Sequence, residues 1–423
     1  MRGVVGRRPL GQGFGWLWAA YAVSAYGSGL GFGALPLLAV LVLHAGPAEV
    51  SALSAVGPAM GALIAVPLAP WVEFRRKRPV MIAMDLARFA AMATIPLAYA
   101  LGRLGFVQLL VVSAVVAAAK IAFNAASGAH LKALVRPEDL LVANARFEST
   151  NWSSIAIGPP LGGAAIGLFG PVTTVIADAL SYLLSALGIT AIRDREEPPR
   201  PAAVSPARAG GESPARAGAL LDGWRHILGD PALRALYLNN LLVGGLIMAT
   251  EPVLAVLMLR QLHFQPWQYG LAFAAPCLGG LIGSRLARRV VARHGRHRVF
   301  RTVGTLRAVW LIGLVLVRPG IVGLLTVMAV ELAIIVNMSL YNPVLATYRL
   351  ERTPKHLLAR TLSAWSIGQQ AAIATCTALG GLLAATTDPR TALAVAGLLI
   401  LATPLLLPRH THSPSPQPSH ATS

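Results

Sequence analysis

Long apolar stretches separated by short polar connections run through almost the whole chain, at approximately 14–43, 50–72, 79–101, 106–128, 142–168, 171–192, 233–258, 268–286, 299–317, 320–346, 362–385 and 390–407. A helix that crosses a bilayer needs about 20 mostly apolar residues, so about twelve spans account for the chain and leave little room for a large soluble domain. The prediction is an all-α membrane protein. The first run follows Arg2, Arg7 and Arg8 and has small residues near Ala20 and Ala22, features shared with signal peptides. It continues unbroken to Leu43, however, far beyond an h-region of about 7–15 residues, and reads as the first spanning helix.

Composition strengthens this picture. Of 423 residues, 55% are hydrophobic and only 13% charged, and mean hydropathy is +0.62. A soluble domain carries roughly 25% charged residues, so lipid must be the solvent. The two cysteines, Cys277 and Cys376, lie within apolar runs and have no loop partner, which excludes a disulfide framework. The net charge of +19 does not mark a nucleic-acid binder, because the basic residues occupy alternate loops rather than one domain or stripe.

Those loops set the orientation. With a cytoplasmic N-terminus, about 29 of the 36 Lys and Arg fall in the N-terminal segment, the even-numbered connections and the tail. Arg103, Arg260, Arg318 and Arg390 fall in the outer loops, and Arg88, Lys120 and Arg307 within spans. Both termini are therefore expected on the cytoplasmic side of the inner membrane. The Pro/Ala/Gly-rich segment from Arg193 to about Asp230 is too poor in large apolar residues to fold alone, although LLDGWRHIL at its end predicts an amphipathic helix on the membrane surface. The expected organisation is a bundle at 1–192, a cytoplasmic loop at 193–230, a second bundle at 231–408 and a disordered tail at 409–423.

The two bundles read as repeats. An offset of about 219 residues lays GPAMGALIAVPLA over PCLGGLIGSRLA, RRKR over RHGRHR and Arg88 over Arg307. Nearly the same offset lays RPEDLLVANA over TPKHLLARTL, and Gly162 and Gly163 over Gly380 and Gly381.

With its polar central loop and basic inner connections, this six-plus-six pattern resembles the major facilitator superfamily. EFRRKRPVMIAMDLAR (73–88) is similar to that superfamily's loop between the second and third helices, where an acidic residue, an arginine-rich stretch and a following Asp form a cytoplasmic gate. GPPLGG (158–163) resembles the end of the fifth-helix motif of drug/proton antiporters. YGSGLGFGALPLL (26–38) and GPVTTVIADALSYLLSALGI (170–189) look like the first and sixth helices of the enterobactin-exporter-like branch. Phe74 departs from the Arg usual after the acidic residue, and Ala145 and Ser154 replace upstream glycines of the fifth-helix motif. The resemblance implies two six-helix bundles, alternating access and a gate at Glu73, Arg78, Asp85 and Arg88.

The residues carry physical arguments of their own. A carboxylate at Glu73 and the pair Asp85/Arg88, one turn apart, can bridge helices by charge-assisted hydrogen bonds, or the basic run serves only as an orientation signal. In GPPLGG, Pro159 and Pro160 interrupt the helix ladder, while Gly158, Gly162 and Gly163 admit close neighbours. Each ionisable group inside a span costs about 2.5–3.5 kcal/mol at a helix centre. Besides Asp85 and Arg88 these are Lys120, Asp178, Glu251, Arg307 and Glu331. In the superfamily resembled, the first, fourth, seventh and tenth helices line the cavity, which puts Lys120, Glu251 and Glu331 on cavity helices.

A carboxylate held in such a cavity can take up and release a proton during a cycle. Glu251, preceding Pro252, is the first candidate, Glu331 the second, and Lys120 a counter-ion or anchor for an anionic substrate; structural ion pairs are the alternative. Asp178 and Arg307, on peripheral helices, read as structural. Asn124, Asn151, Asn239, Asn240, Asn337, Asn342, Gln369 and Gln370 add possible cavity hydrogen bonds or helix–helix contacts. No metal-ligand spacing, hydrolase motif or P-loop is present, so no cofactor is expected and energy should come from an ion gradient. The expected function is proton-coupled export of a small amphipathic metabolite, siderophore or drug by a monomer. A transporter-shaped sensor or scaffold, a proton-coupled importer and a lipid-modifying membrane enzyme are the competing classes.

Overall fold

The computed structural model describes residues 10–31, 33–73, 75–136, 139–192, 215–354 and 357–407, which are helical throughout with short connections. A chain in lipid has no water to satisfy its backbone, so each spanning segment bonds its own N–H and C=O groups by coiling. The N-terminal half holds α1 (Gln12–Leu30), α2 (Ala34–Leu41), α3 (Pro47–Glu73), α4 (Lys77–Ala100), α5 (Phe106–Leu134), α6 (Leu140–Phe169) and α7 (Val172–Thr190). After α8 (Ala215–Gly229), the C-terminal half holds α9 (Pro231–Val256, extended by a π turn to Gln261), α10 (Pro266–His294), α11 (Arg296–Val309, extended by a tighter turn to Leu316), α12 (Ile321–Arg352), α13 (Leu358–Thr386) and α14 (Pro389–Ala402).

Eleven segments among the described residues, with α1 and α2 counted as one, are long and apolar enough to cross a membrane. The remaining long helix is α10, whose sequence is less apolar because Arg285, Arg288, Arg289 and Arg293 crowd its second half. The first apolar run is not the continuous helix expected. It breaks at Gly31–Gly33, where Gly33 adopts a φ of +70° that suits a residue without a side chain. The amphipathic helix read from LLDGWRHIL is α8, but it docks on α13 instead of lying apart on a surface. Gly223 meets the Arg360 carbonyl, and Asp222 pairs with Arg360 at 2.9 Å. Residues 193–214 and the tail 409–423 lie outside the described residues.

Helix starts follow local chemistry. Asp230 accepts from the backbone N–H groups of Ala232 and Leu233 ahead of Pro231, and Asp388 does the same for Arg390 and Thr391 ahead of Pro389. The repeat is visible in the backbone. The offset of about 219 residues relates Pro47 to Pro266, the first residues of α3 and α10. It also relates His44 to His263, which both take left-handed conformations with φ of 53° and 54°.

Within the N-terminal half, α1 packs on α6 and α7, α4 on α5 and α7, and α3 on α5. In the C-terminal half, α10 packs on α12 and α9 on α13, with α11 and α14 alongside. Between the halves, α3 runs along α13 and α6 along α10. Small residues permit the α6–α10 crossing: Gly163 meets the backbone of Pro266 and Trp267, and Gly270 the carbonyl of Pro159.

The two ends of the bundle differ. At the end carrying the basic loops, the buried apolar side chains form two separate cores. One belongs to the N-terminal half (Phe14, Val80, Met81, Phe123, Ile189) and one to the C-terminal half (Ile227, Phe300, Tyr341, Trp365). Toward the opposite end a single core joins the halves, uniting Leu37, Leu38 and Val50 with Val253, Leu254 and Tyr269. The molecule is sealed at one end and split at the other.

Candidate functional site

In the N-terminal half, the split exposes a cavity of about 390 Å³ lined by α1, α4, α5 and α6. Its polar groups are Tyr21, Ser24, Ser28, Arg88, Lys120, Asn124, Asn151 and Ser154. Lys120 projects into this space, exposed to the cavity though midway along α5, and makes no hydrogen bond or ion pair with the described residues. Asp178 on α7 lies within electrostatic reach of Lys120 and Arg88. It is buried and accepts from Ser28 Oγ at 3.2 Å and the Tyr182 hydroxyl at 3.1 Å. The charge of Asp178 is thus offset at a distance and satisfied locally.

Arg88 and Asp85 are both buried and pair with each other within α4, not between helices as their spacing had allowed. The guanidinium also stacks 4.3 Å from the Tyr182 ring centroid and 4.8 Å from that of Phe123. Arg78 donates to the carbonyls of Ile189 and Thr190, the C-terminal carbonyls of α7, and so ties the start of α4 to the end of α7. Glu73 ends α3, and its side chain lies outside the described residues.

The GPPLGG segment stays within one helix, α6, and forms a three-way crossing. Gly158 lies against the backbone of Gly29, Gly162 against the carbonyl of Leu30, and Gly163 and Pro159 against α10. A Cβ at Gly158 or Gly162 would enter backbone atoms of α1. Pro160 is partly buried in the same stretch. The glycines thus set how closely α6 approaches both α1 and the other half.

In the C-terminal half, a cavity of about 640 Å³ opens between α9, α12 and α13. Asn240 donates to Gln369 at 2.6 Å on its wall, and Asn342, Ser366 and Gln370 add polar groups. Arg349 stacks 4.8 Å from the Trp365 ring centroid there, with its Nε unpartnered. Asn239 and Asn337 serve packing instead: Asn239 holds Arg307 and the Thr403 carbonyl, and Asn337 donates to the Ala333 carbonyl.

Glu251 and Glu331 sit elsewhere. Both lie toward the sealed end, Glu331 buried and Glu251 half-buried, close enough to repel each other and within electrostatic reach of Tyr269. Neither makes an ion pair or hydrogen bond with the described residues. They stand in the joined core, apart from the two polar cavities just described. Tyr269 packs against Gly33, so this acidic pair lies close to the seam between the halves.

Sequence reasoning passed over Arg260 as an outer-loop residue. Its guanidinium reaches across the seam to donate to the carbonyls of His44 at 3.2 Å and Ala45 at 2.9 Å. The available signal was its isolation: few basic residues occur on that side. Arg349 was also missed, hidden among the basic residues that end α12.

A family model described as Major Facilitator Superfamily matches residues 17–329 and 236–423. Multidrug efflux pump Tap of Mycolicibacterium fortuitum is 26% identical over 292 residues, 67% of this chain and 68% of that protein. Its namesake in Mycobacterium tuberculosis (strain ATCC 25618 / H37Rv) is 30% identical over 274 residues, 63% of this chain and 62% of that protein. The chain therefore spans about two thirds of the length of these relatives. Among solved structures, the nucleoside transporter NupG superposes with a TM-score of 0.73 at 10% identity, over 94% of this chain and 99% of that one. A bacterial homologue of the iron transporter ferroportin scores 0.72 in its inward-facing state, at 17% identity over 94% and 98% of the two chains. The outward-facing state scores 0.60 at 15% identity, over 93% and 98%. At these identities the likeness shows the fold.

Proposed function

Because the chain belongs to the Major Facilitator Superfamily, whose members are transporters, we propose that it is a twelve-span secondary exporter of a small amphipathic molecule, driven by protons moving inward. The observation that carries this reading is the split core: two separate apolar cores flank polar cavities at the basic end, while one joined core seals the other. With the basic loops in the cytoplasm, as the positive-inside rule requires, this is an inward-open state, with α10 as the eighth span and both termini cytoplasmic. The better superposition on the inward-facing ferroportin homologue supports the same assignment of state. Export is favoured by the relatives named as multidrug efflux pumps, and the likeness of the first and sixth spans to enterobactin exporters belongs to the same reading. We take 1–192 and 231–408 as the rocking bundles of a monomer in the inner membrane.

In this scheme Lys120 and the amide groups receive cargo from the cytoplasm. Glu251 and Glu331, closed off in the seal, meet the outer side when the seal opens and take up protons there. Asp85 and Arg88 keep α4 rigid beside the cavity, and Arg78 fixes α4 to α7 at the gate, to which Glu73 is assigned from the sequence. The test is purified full-length protein in liposomes with an imposed pH gradient, read by efflux of ethidium or fluorescein. Efflux should follow the gradient and fall at least tenfold in Glu251→Gln. Efflux that ignores both the gradient and this substitution would overturn the proton-coupled mechanism.

A further inference from the structure

We propose that the cargo is an anion: an amphipathic molecule with a carboxylate, sulfonate or phosphate that is drawn in at Arg349 and seated against Lys120. This deepens the export reading and rests on its inward-open assignment. The charges that face open space in the two cavities are cationic. Among the described residues, Lys120 projects into the first with no ion-pair partner, and Arg349 lines the second with an aromatic ring as its only partner. The carboxylates near Lys120 are not available to a cation in the same way. Asp85 is buried and bound by Arg88. Asp178 is buried and already accepts from Ser28 and Tyr182. Glu148, near Tyr21, is exposed and accepts from Trp152 Nε1 at 2.7 Å, with Arg146 two residues away.

The depths of the two cations form an order. At about 1.5 Å per residue, Arg349 lies about 5 Å from the basic end of α12 and Lys120 about 20 Å from that of α5. Low-dielectric walls focus the field of like charges in a cleft, which raises the local concentration of the opposite ion. Arg349 therefore attracts at the mouth and Lys120 holds at the base. Around Lys120, Asn124, Asn151 and Ser28 supply hydrogen bonds for the anionic head, and Tyr21, Phe123 and Ile155 supply the apolar wall for its body. A volume of about 390 Å³ falls within the range typical of small-molecule sites. A lipophilic cation would meet Lys120 with like charge in a confined space.

The experiment measures equilibrium binding of two xanthene dyes of similar size, anionic fluorescein and cationic rhodamine 6G, to full-length protein in detergent by fluorescence polarisation. Fluorescein should bind at least tenfold tighter than rhodamine 6G, with affinity that falls as salt rises. Lys120→Met should weaken fluorescein at least tenfold, and Lys120→Arg should retain it. Asn124→Asp, which keeps the lysine but sets a carboxylate in its pocket, should remove the preference. Arg349→Gln should flatten the salt dependence of fluorescein affinity. Size-exclusion profiles and melting temperatures identify any variant that fails to fold. Rhodamine 6G binding as tightly as fluorescein, no fluorescein binding, or fluorescein binding indifferent to both Lys120→Met and Asn124→Asp each overturns the proposal. Binding needs no gradient, so failure of proton-driven flux leaves this result intact. Equally, pumped rhodamine 6G would sink the anion assignment while leaving export standing.

Discussion

Arg88 on α4 and Arg307 on α11 occupy equivalent places in the two halves, and both are buried against an aromatic ring. Phe123 and Tyr341, which face them, are related by nearly the same offset. What compensates the charge differs. Arg88 pairs with Asp85 one turn earlier on its own helix. The position matching Asp85 in the second half is Gly304, packed against Tyr341 and Leu407. Arg307 instead donates to Asn239 on α9 and lies 3.7 Å from the Tyr341 ring centroid, while the Nε of both arginines is unpartnered. The repeated backbone thus keeps a cation on an aromatic ring, while each half solves desolvation separately. One half neutralises it beside a cavity; the other fixes it with an amide among packed side chains. Rigid-body rocking needs bundles that are stiff inside, and both solutions stiffen one.

The two arginines should respond most differently to the same substitution made at each. Arg88→Met leaves Asp85 as an uncompensated buried carboxylate, which should cost about 3–5 kcal/mol. Adding Asp85→Leu should recover most of it, because a buried pair exchanged for apolar groups is often neutral or better. Arg307→Met removes a cation without stranding a carboxylate. It leaves the Asn239 carbonyl oxygen, and the weak acceptor Met338 Sδ, without a donor, at a cost of about 1–3 kcal/mol. Unfolding of the detergent-solubilised variants in a denaturant series reads both. Equal losses at the two sites would mean that Asp85 is not what Arg88 stabilises.

The helices were legible because their signal, long apolar runs bounded by basic loops, is the same property that makes them insert. Repeat matching placed Arg88 over Arg307 correctly but could not foresee Gly304 or the ring contacts, since those depend on how helices distant in sequence pack. The break in the first span was hidden because glycine is common in spanning helices, and only the φ of Gly33 distinguishes a hinge from a packing contact. Lys120, Asn124 and Asn151 were named from polarity and helix assignment, and the structure brings them to one cavity with Ser28 and Arg88. Glu251 and Glu331 were named by the same reasoning yet lie in the joined core. Sequence reports that a charge lies within a span. It does not report the depth of the cavity in the state observed. Arg260 escaped notice because its partners are backbone carbonyls, and these leave no mark in residue identity.

Arg260 extends the comparison between halves to the sealed end. Its counterpart at the repeat offset is Leu41, so among the described residues the arginine latch that crosses the seam comes from the C-terminal half. Each hydrogen bond to a carbonyl contributes about 0.5–1.5 kcal/mol, toward the upper figure for a charged donor. Water at the exposed rim reclaims part of this, leaving about 1 kcal/mol, or roughly a fivefold change in population. Arg260→Gln should therefore shift the equilibrium toward a state open at this end, which is the outward-open state of the proposed cycle, without unfolding the bundle. Spin labels at Leu168 and Ile321, exposed positions on the two halves near this end, would report it in a background lacking Cys277 and Cys376 as a larger share of the long-distance population. If Arg260→Gln leaves the distance distribution unaltered, the joined apolar core holds the seal by itself, and the asymmetry between the halves has no part in gating.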